Sequence, residues 1–234
     1  MKVLYSAIAL LIMHITNAQQ ASFFDPAQAY NRLLIEKNGG KFTRVGAYKV
    51  IGSPILFGEK RKGNIWSNVD SLKNIQVGYN IYNQEIYFPG ADGGKDITRE
   101  PGSINYFSIS ADSALKILTD MEFTYGPILG TKDKHYYQTM YTGKRFILFK
   151  RYDAELGNVS DNYVQSDLRQ FDVKTEYFYR DTESKGLKKL KVTAAGLNKE
   201  FEKIKNISGV IMEDQLITNQ DHELIRIFKE LNGE

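Results

Sequence analysis

The chain contains no cysteine among its 234 residues. This absence excludes disulfides, zinc sites built on cysteine thiolates and thiol nucleophiles. Proline is scarce as well, at five residues. The fold therefore has to be stabilised by packing, and a chain of this length can bury roughly 70% of its unfolded surface without covalent links.

Neither sign of charge predominates. Lysine and arginine number 31 against 28 aspartates and glutamates, which gives a net charge of +3. Such a balance favours neither nucleic acid nor an acidic lipid surface as a partner. A lysine-rich stretch at 185–191 is interrupted by Gly186, Leu187 and Leu190, a pattern typical of the solvated face of a strand or turn.

Residues 1–18 have the three-part order of a secretory signal peptide. Lys2 precedes an apolar run over 3–15, and the small residues Thr16 and Ala18 stand at the two selective positions before a cut. A retained membrane anchor needs about 20 apolar residues, and this run is shorter. We therefore expect cleavage between Ala18 and Gln19.

The expected location follows from the signal and from the missing cysteines. Extracellular animal domains of this size usually carry disulfides, so their absence favours a bacterial envelope. Lipid-anchored bacterial exports carry a cysteine directly after the cut, which this chain lacks. We expect an exported protein, free in the periplasm or at the cell surface, without a stable membrane anchor.

Residues 42–192 have the pattern of an antiparallel β domain. Short runs of β-branched and aromatic residues alternate with turn residues, and the chain has 15 tyrosines and 13 phenylalanines. Hairpin turns are expected at Asn83-Gln84 and at 142–144, where Gly143 would take a positive φ. Residues 111–120 fit a strand or a helical turn, and we favour a strand. The predicted strands are 45–51, 63–67, 75–82, 85–88, 104–108, 121–125, 135–141, 145–152, 173–180 and 187–192.

The apolar period changes to about 3.6 in the segment 193–234. A helix is predicted over 194–205 behind Thr193 as its cap, and a second helix behind Thr218 or Asn219 ends at Gly233. The segment 19–41 can form another short helix after Asp25-Pro26. The predicted class is α+β: a mainly antiparallel curved sheet or sandwich of about ten strands, with two short C-terminal helices packing on the sheet.

Two segments carry a family resemblance. The turn 52–56, reading GSPIL, is followed by VGYNIYNQEI at 77–86, and a second segment at 136–150 reads YYQTMYTGKRFILFK. These segments resemble an uncharacterised family of exported, β-rich Bacteroidota proteins. The resemblance implies a periplasmic or surface location and brings no known activity.

Motifs for chemistry are few. His135 stands beside Asp133 with no ligand spacing around it, so it is more typical of a strand edge than of a metal site. The glycine-rich loop at 89–96 lacks both the alternating oxygen ligands of a calcium loop and the lysine-hydroxyl pair of a P-loop. We predict neither a metal site nor a cofactor, and no catalytic residues. The oligomeric state is not indicated.

The aromatic residues suggest a binding role. Aromatic side chains on a rigid sheet can stack on sugars or anchor a protein. The candidate ligand-binding residues are Trp66, Tyr79, His135, Tyr136 and Tyr137. The favoured function is a non-enzymatic envelope module that binds a protein or glycan partner through a tyrosine-rich sheet. The alternatives are a carrier for an apolar ligand inside a curved sheet and a hydrolase that uses a carboxylate pair.

Cleavage of the signal can be tested directly. Expression in a Gram-negative host should yield a periplasmic protein whose amino terminus is Gln19, because the small residues before it fit the cleavage site. Amino-terminal sequencing and intact mass measure this. Replacing Ala18 with Phe should block processing, whereas replacing Gln20 with Asn should not. A wild-type chain that retains Met1 to Ala18 after export would contradict the assignment.

Overall fold

The computed structural model describes residues 43–45, 48–91, 93–115, 117–159, 168–184 and 186–234. The chain divides into two compact units. The smaller one comprises residues 1–52 and 157–170, and the larger one comprises 53–156 and 171–234. The predicted signal peptide and the predicted helix in 19–41 lie outside the described residues.

The described part of the smaller unit is a short set of paired strands. Strands β1 (Thr43–Val45) and β2 (Tyr48–Ile51) pair in antiparallel fashion, with Val45 opposite Tyr48. Residues 168–170 pair with β2 in parallel. The prediction of a single strand over 45–51 is therefore wrong, because Val45 ends one strand and faces Tyr48, where the next strand begins.

The larger unit is built on one curved, open sheet whose strands pair in antiparallel fashion. Its strand order is β11-β10-β9-β8-β7-β3-β4-β5-β6, and β12 pairs with β11. This arrangement confirms the α+β class with a curved sheet. The strands are β3 (Arg61–Trp66), β4 (Ser71–Asn80), β5 (Glu85–Pro89), β6 (Asp96–Arg99), β7 (Tyr106–Ile109), β8 (Met121–Tyr125), β9 (Tyr136–Thr142), β10 (Phe146–Asn158), β11 (Leu168–Asp181) and β12 (Lys188–Leu190).

Three helices follow the last strand: α1 (Ala194–Phe201), α2 (Glu213–Thr218) and α3 (Gln220–Asn232). The predicted cap of α1 is confirmed, because the Gly196 amide donates to Thr193 Oγ1 at 3.0 Å. Gly233 ends α3 with a left-handed φ of 77°, as predicted. Helix α2 was not predicted, since its six residues are too few to establish a helical period.

The inner face of the sheet carries two apolar clusters. The first is rich in aromatic rings from β4 and β7–β10, and the stacked rings of Phe107 and Phe123 lie 4.4 Å apart at its centre. The second joins Phe146 and Leu148 of β10 to the three helices. The helices thus pack on one face of the sheet, which is the arrangement that their apolar stripes favour.

A buried lysine lies between the two clusters. Lys150 of β10 is 8% exposed, and its Nζ lies 2.7 and 2.9 Å from the carboxylate oxygens of Asp221 in the first turn of α3. The Tyr177 hydroxyl donates to the same carboxylate, and the Tyr152 ring lies 5.0 Å from the ammonium. Pairing and ring contacts offset the desolvation of this charge and position α3 on the sheet.

Several strands and one turn depart from prediction. Strands β1 and β6 had not been predicted, and β10 and β11 are longer than their predicted ranges. Residues 111–120 hold a 3-10 turn, Ser113–Leu115, enclosed by a bridge between Asp112 and Ile117, so the predicted strand is wrong. Asp112 Oδ1 accepts a hydrogen bond from the Ala114 amide, which favours a turn over an extended conformation.

Hydrogen bonds hold the turn between β9 and β10 against the end of α3. Asn232 Oδ1 accepts hydrogen bonds from the amides of Arg145 and Phe146, and its Nδ2 donates to the carbonyls of Phe146 and Phe228. Gly143 leaves room for this side chain, because a Cβ there would lie 2.3 Å from Asn232 Cγ. The expected positive φ at Gly143 is not observed. Glycine is required at this position because the Asn232 side chain lies so close to it, and not because of the geometry of the turn.

This junction predicts coupled substitutions. Asn232→Ala should lower the free energy of unfolding by about 2 kcal/mol, because two half-buried amides lose their acceptor. Gly143→Ala should cost a similar amount, about 2 kcal/mol, through the clash. The double variant should be less destabilised than the sum of the two, since the first change removes the atoms that the second one meets.

Urea unfolding followed by circular dichroism measures these energies. Gly209→Ala is the matched control, because a Cβ there meets nothing within 4 Å. It should change stability by less than about 0.5 kcal/mol. Strictly additive effects of the two substitutions would contradict the proposed contact.

Candidate functional site

Two of the predicted ligand-binding tyrosines belong to the inner core. Tyr79 is 1% exposed and Tyr136 is fully buried, and their ring centroids lie 5.7 Å apart. The Tyr136 hydroxyl donates to the Ile104 carbonyl at 2.8 Å, and the Tyr79 hydroxyl bonds Gln84 Oε1. Burial raises the pKa of Tyr136 to about 12. Both side chains are satisfied inside the protein and act in packing.

Tyr137 is fully buried on the opposite, outer face of the sheet. It belongs to a third cluster with Ile147, Phe149 and Phe178, and its ring lies 5.2 Å from that of Phe178. Burial, and then a hydrogen bond from its hydroxyl to Asp133, raise the pKa of Tyr137 to about 12. No helical residue among those described belongs to this cluster.

His135, the remaining polar candidate, lies at the end of this outer cluster. Its Nδ1 is 3.5 Å from an Asp133 oxygen, and its Nε2 is 3.6 Å from an Asp153 oxygen. The side chain of His135 is 25% exposed. Asp133 is in addition 3.6 Å from the guanidinium of Arg151 and 2.7 Å from the Tyr137 hydroxyl. We call Thr131, Asp133, His135, Arg151 and Asp153 the His135 cluster.

The loop that supplies half of this cluster is tightly folded. It begins with a 3-10 turn, Gly126–Leu129, that Gly130 ends in a left-handed conformation. A Cβ at Gly126 would lie 2.4 Å from Thr131 Oγ1 and 3.0 Å from Asp133 Oδ1, so glycine is required there. The Gly126 amide donates to the His135 carbonyl, which returns the loop to the sheet. The polar side chains are therefore held by a rigid backbone.

A chain of ion pairs extends the His135 cluster across the sheet. Arg151 pairs with Glu176 of β11, and Glu176 also pairs with Lys189. The hydrogen bond from Lys189, together with the charge of Arg151, holds the pKa of Glu176 below its ordinary value. Arg151 lies over the Phe178 ring at 5.3 Å. Charged groups thus cover the outer aromatic cluster where no helix does.

The His135 cluster holds polar atoms that have no partner. Five buried side-chain polar atoms in the described residues lack a hydrogen bond, and three belong here: Thr131 Oγ1, His135 Nδ1 and Arg151 Nε. Buried polar atoms are usually satisfied, so their concentration at one place indicates a site that ordered water or a polar ligand can complete. Together they offer donors and acceptors within one small area.

Trp66, the last aromatic candidate, lies on the same face at the far end of a row of side chains. It is half-buried and stands opposite Tyr106, which is 42% exposed. Tyr106 stands opposite Thr124, Thr124 opposite Tyr137, and Tyr137 opposite Arg151. We call these five residues the cross-sheet row. At about 4.8 Å per strand, it spans about 19 Å.

The carboxylates give little sign of acid catalysis. A general acid needs a pKa raised toward the working pH. Among the described residues every carboxyl with a shifted pKa has it lowered by a basic neighbour or by hydrogen bonds, at Glu176, Asp181, Glu223 and Glu230. The described residues also contain no group of three His, Cys, Asp or Glu side chains placed to hold a metal ion.

Sequence reasoning found His135 with its neighbour Asp133 and missed the other members of the site. Arg151 and Asp153 alternate with Tyr152 and Ala154 along β10, and this period of two would have placed them on one face. No local signal could have brought Glu176 to them, because it comes from another strand. Tyr106 escaped notice because it lies beside three buried residues of β7.

Glu176 gives the site a measurable pH response. A carboxylate whose pKa is lower in the folded than in the unfolded state stabilises the fold above its ordinary pKa of 4.5, and this contribution is lost as the pH falls through the folded value. Glu176→Gln should therefore lower the free energy of unfolding near neutrality. The gap to the wild type should stay constant from neutrality down to about pH 5 and should close as the pH falls below 4.5.

Chemical unfolding at several pH values measures this convergence. Glu122→Gln is the control, since Glu122 is exposed on the same face. Its stability curve should run parallel to that of the wild type. A constant gap between Glu176→Gln and the wild type down to acid pH would show that the ion pairs do not contribute.

Comparisons with known proteins add no functional information. No protein-family model, no curated protein and no solved structure matches this chain. The similarity of the two quoted segments to exported Bacteroidota proteins stays a prediction. Among the described residues no helix is long and apolar enough to cross a membrane. Functional inference therefore rests on the geometry of the chain's own residues.

Proposed function

We propose that this protein is an exported envelope module that binds a glycan through the outer face of its sheet. The observation that carries the proposal is the cross-sheet row, which joins a half-exposed aromatic pair at one end to the His135 cluster at the other. Sugar rings stack on aromatic faces, and their hydroxyls take hydrogen bonds from and give them to charged side chains. Both kinds of group occur here on one rigid surface.

The two ends of the row have complementary roles. Trp66 and Tyr106 present apolar ring surface, on which a sugar ring can stack at low entropic cost. Asp133 and Asp153 accept hydrogen bonds from hydroxyls, and Arg151 donates. The span of about 19 Å between the ends favours a chain of several sugars over a single one.

The geometry supports the glycan more than the other functions considered. A protein partner would require a larger apolar centre than this face offers, since Arg151 and Arg180 cover the rings of Phe178 and Phe149. A carrier would require an apolar cavity inside the sheet, and the first inner cluster is instead filled by rings in contact, such as Tyr79 with Phe107 at 5.1 Å. Export itself rests on the amino-terminal sequence.

Affinity electrophoresis can test the proposal. The protein is run in native gels that contain a soluble polysaccharide, such as a β-glucan, a mannan or a peptidoglycan digest, and retardation gives a dissociation constant. Tyr106→Ala should weaken binding about tenfold, which corresponds to about 1.4 kcal/mol. Asp153→Asn should weaken it as well, because the amide replaces one acceptor with a donor.

Tyr82→Ala is the matched control. Tyr82 is 40% exposed, close to the 42% of Tyr106, but it packs against Phe171 and lies outside the row. It should leave retardation unchanged. Equal loss in the Tyr82 and Tyr106 variants, or retardation by none of the polysaccharides, would overturn the proposal. Retention of a purified envelope protein with the same variant pattern would replace the glycan with a protein partner.

A further inference from the structure

A shallow cavity opens on the outer side of the larger unit, apart from the cross-sheet row. Its volume is about 490 Å³, within the range of sites that bind small molecules. One wall is the turn that contains Ile128 and Leu129, and the other is the end of β11 with the turn after it, including Arg180, Thr182 and Ser184. None of these residues belongs to the row or to the His135 cluster.

The first wall is apolar. Ile128 is 42% exposed and lines the cavity with its aliphatic side chain. Leu129 packs against the outer aromatic cluster and extends that apolar surface to the cavity. A hydrocarbon segment lying on these two side chains would lose contact with water, which favours binding through the hydrophobic effect.

The second wall is polar and carries one available cation. Arg180 lies over the Phe149 ring at 5.9 Å. In the part of the chain that the structure describes, its guanidinium makes no ion pair or hydrogen bond. Thr182 and Ser184 bring hydroxyls to the same wall. A half-buried guanidinium without an anion, next to two hydroxyls, is suited to bind a planar carboxylate through paired hydrogen bonds.

Nearby charges limit the anion to a single negative charge. Asp181 and Glu183 flank Thr182 in the chain, and both are held by Arg145. Their carboxylates would repel a doubly charged group such as a phosphate more than a monocarboxylate. Among the described residues, the lining thus combines one cation, two hydroxyls and an apolar wall.

We propose that this cavity binds a small amphipathic monocarboxylate, with its carboxylate on Arg180 and its apolar tail on Ile128 and Leu129. The ligand class is that of free aliphatic acids of medium length. The site is independent of the proposed glycan face, because it shares no residue with it. Either binding proposal can therefore fail while the other holds.

Titration calorimetry with octanoate on the full-length purified protein tests the site. Octanoate should bind saturably, and octanol, which lacks the carboxylate, should bind at least about tenfold more weakly, as should butanoate, which has a shorter tail. Arg180→Gln should weaken octanoate at least about tenfold and should abolish the preference for octanoate over octanol. Ile128→Ser should weaken octanoate while preserving that preference.

Arg99→Gln is the matched control, since Arg99 is exposed on β6 and outside the cavity. It should leave octanoate binding unchanged. Ile128 and Arg180 are both partly exposed, so their variants should keep the wild-type circular dichroism. Arg180→Gln should lower the melting temperature slightly, because it loses the contact with the Phe149 ring. Octanoate that does not saturate, or octanol that binds as tightly as octanoate to the wild type, would overturn the proposal. An equal loss in the Arg99 and Arg180 variants would overturn it too, because it would reflect overall charge.

Discussion

The alternation of side chains along β10 is the constraint on which the larger unit depends. Phe146 and Leu148 enter the cluster that the helices cover, whereas Phe149 and Arg151 point to the outer face. A shift of one residue would exchange these two sets and place charges among the helices. Lys150 shows how closely the inner side is specified, because its charge is accommodated only where Asp221 of α3 meets it. The position of the helices and the composition of the outer face therefore have the same origin.

The outer face carries aromatic rings that no α-helix among the described residues covers. Arg151 and Arg180 lie over the rings of Phe178 and Phe149 and exclude water from them. Such contacts are each worth about 0.5–2 kcal/mol, and ion pairs on the same strands fix the positions of the charges. Charged groups held in this way lose little conformational freedom when a ligand binds. The same arginines that cover the aromatic rings therefore also form a surface suited to recognition.

Local patterns in the sequence predicted the helices α1 and α3, the terminator Gly233 and most strands, because capping residues and periodicity act within a few residues. They did not predict on which face of the sheet each side chain lies. Tyr136 and Tyr137 are adjacent and fully buried on opposite faces, so a period of two separates them without showing that both are covered. Local patterns likewise could not explain why residue 143 must be glycine, because the side chain that requires it, Asn232, lies at the far end of the chain. The His135 cluster likewise depends on contacts between distant segments.

Radical footprinting of the protein with and without a bound polysaccharide tests most directly whether the outer face is the recognition surface. The oxidation rates of Trp66, Tyr106 and His135 report on the two ends of the cross-sheet row, and Tyr82 reports on a surface outside it. The account predicts that ligand protects the first three side chains and leaves Tyr82 unchanged. Protection of Tyr82 with undiminished oxidation of Trp66 and Tyr106 would place recognition elsewhere and contradict it.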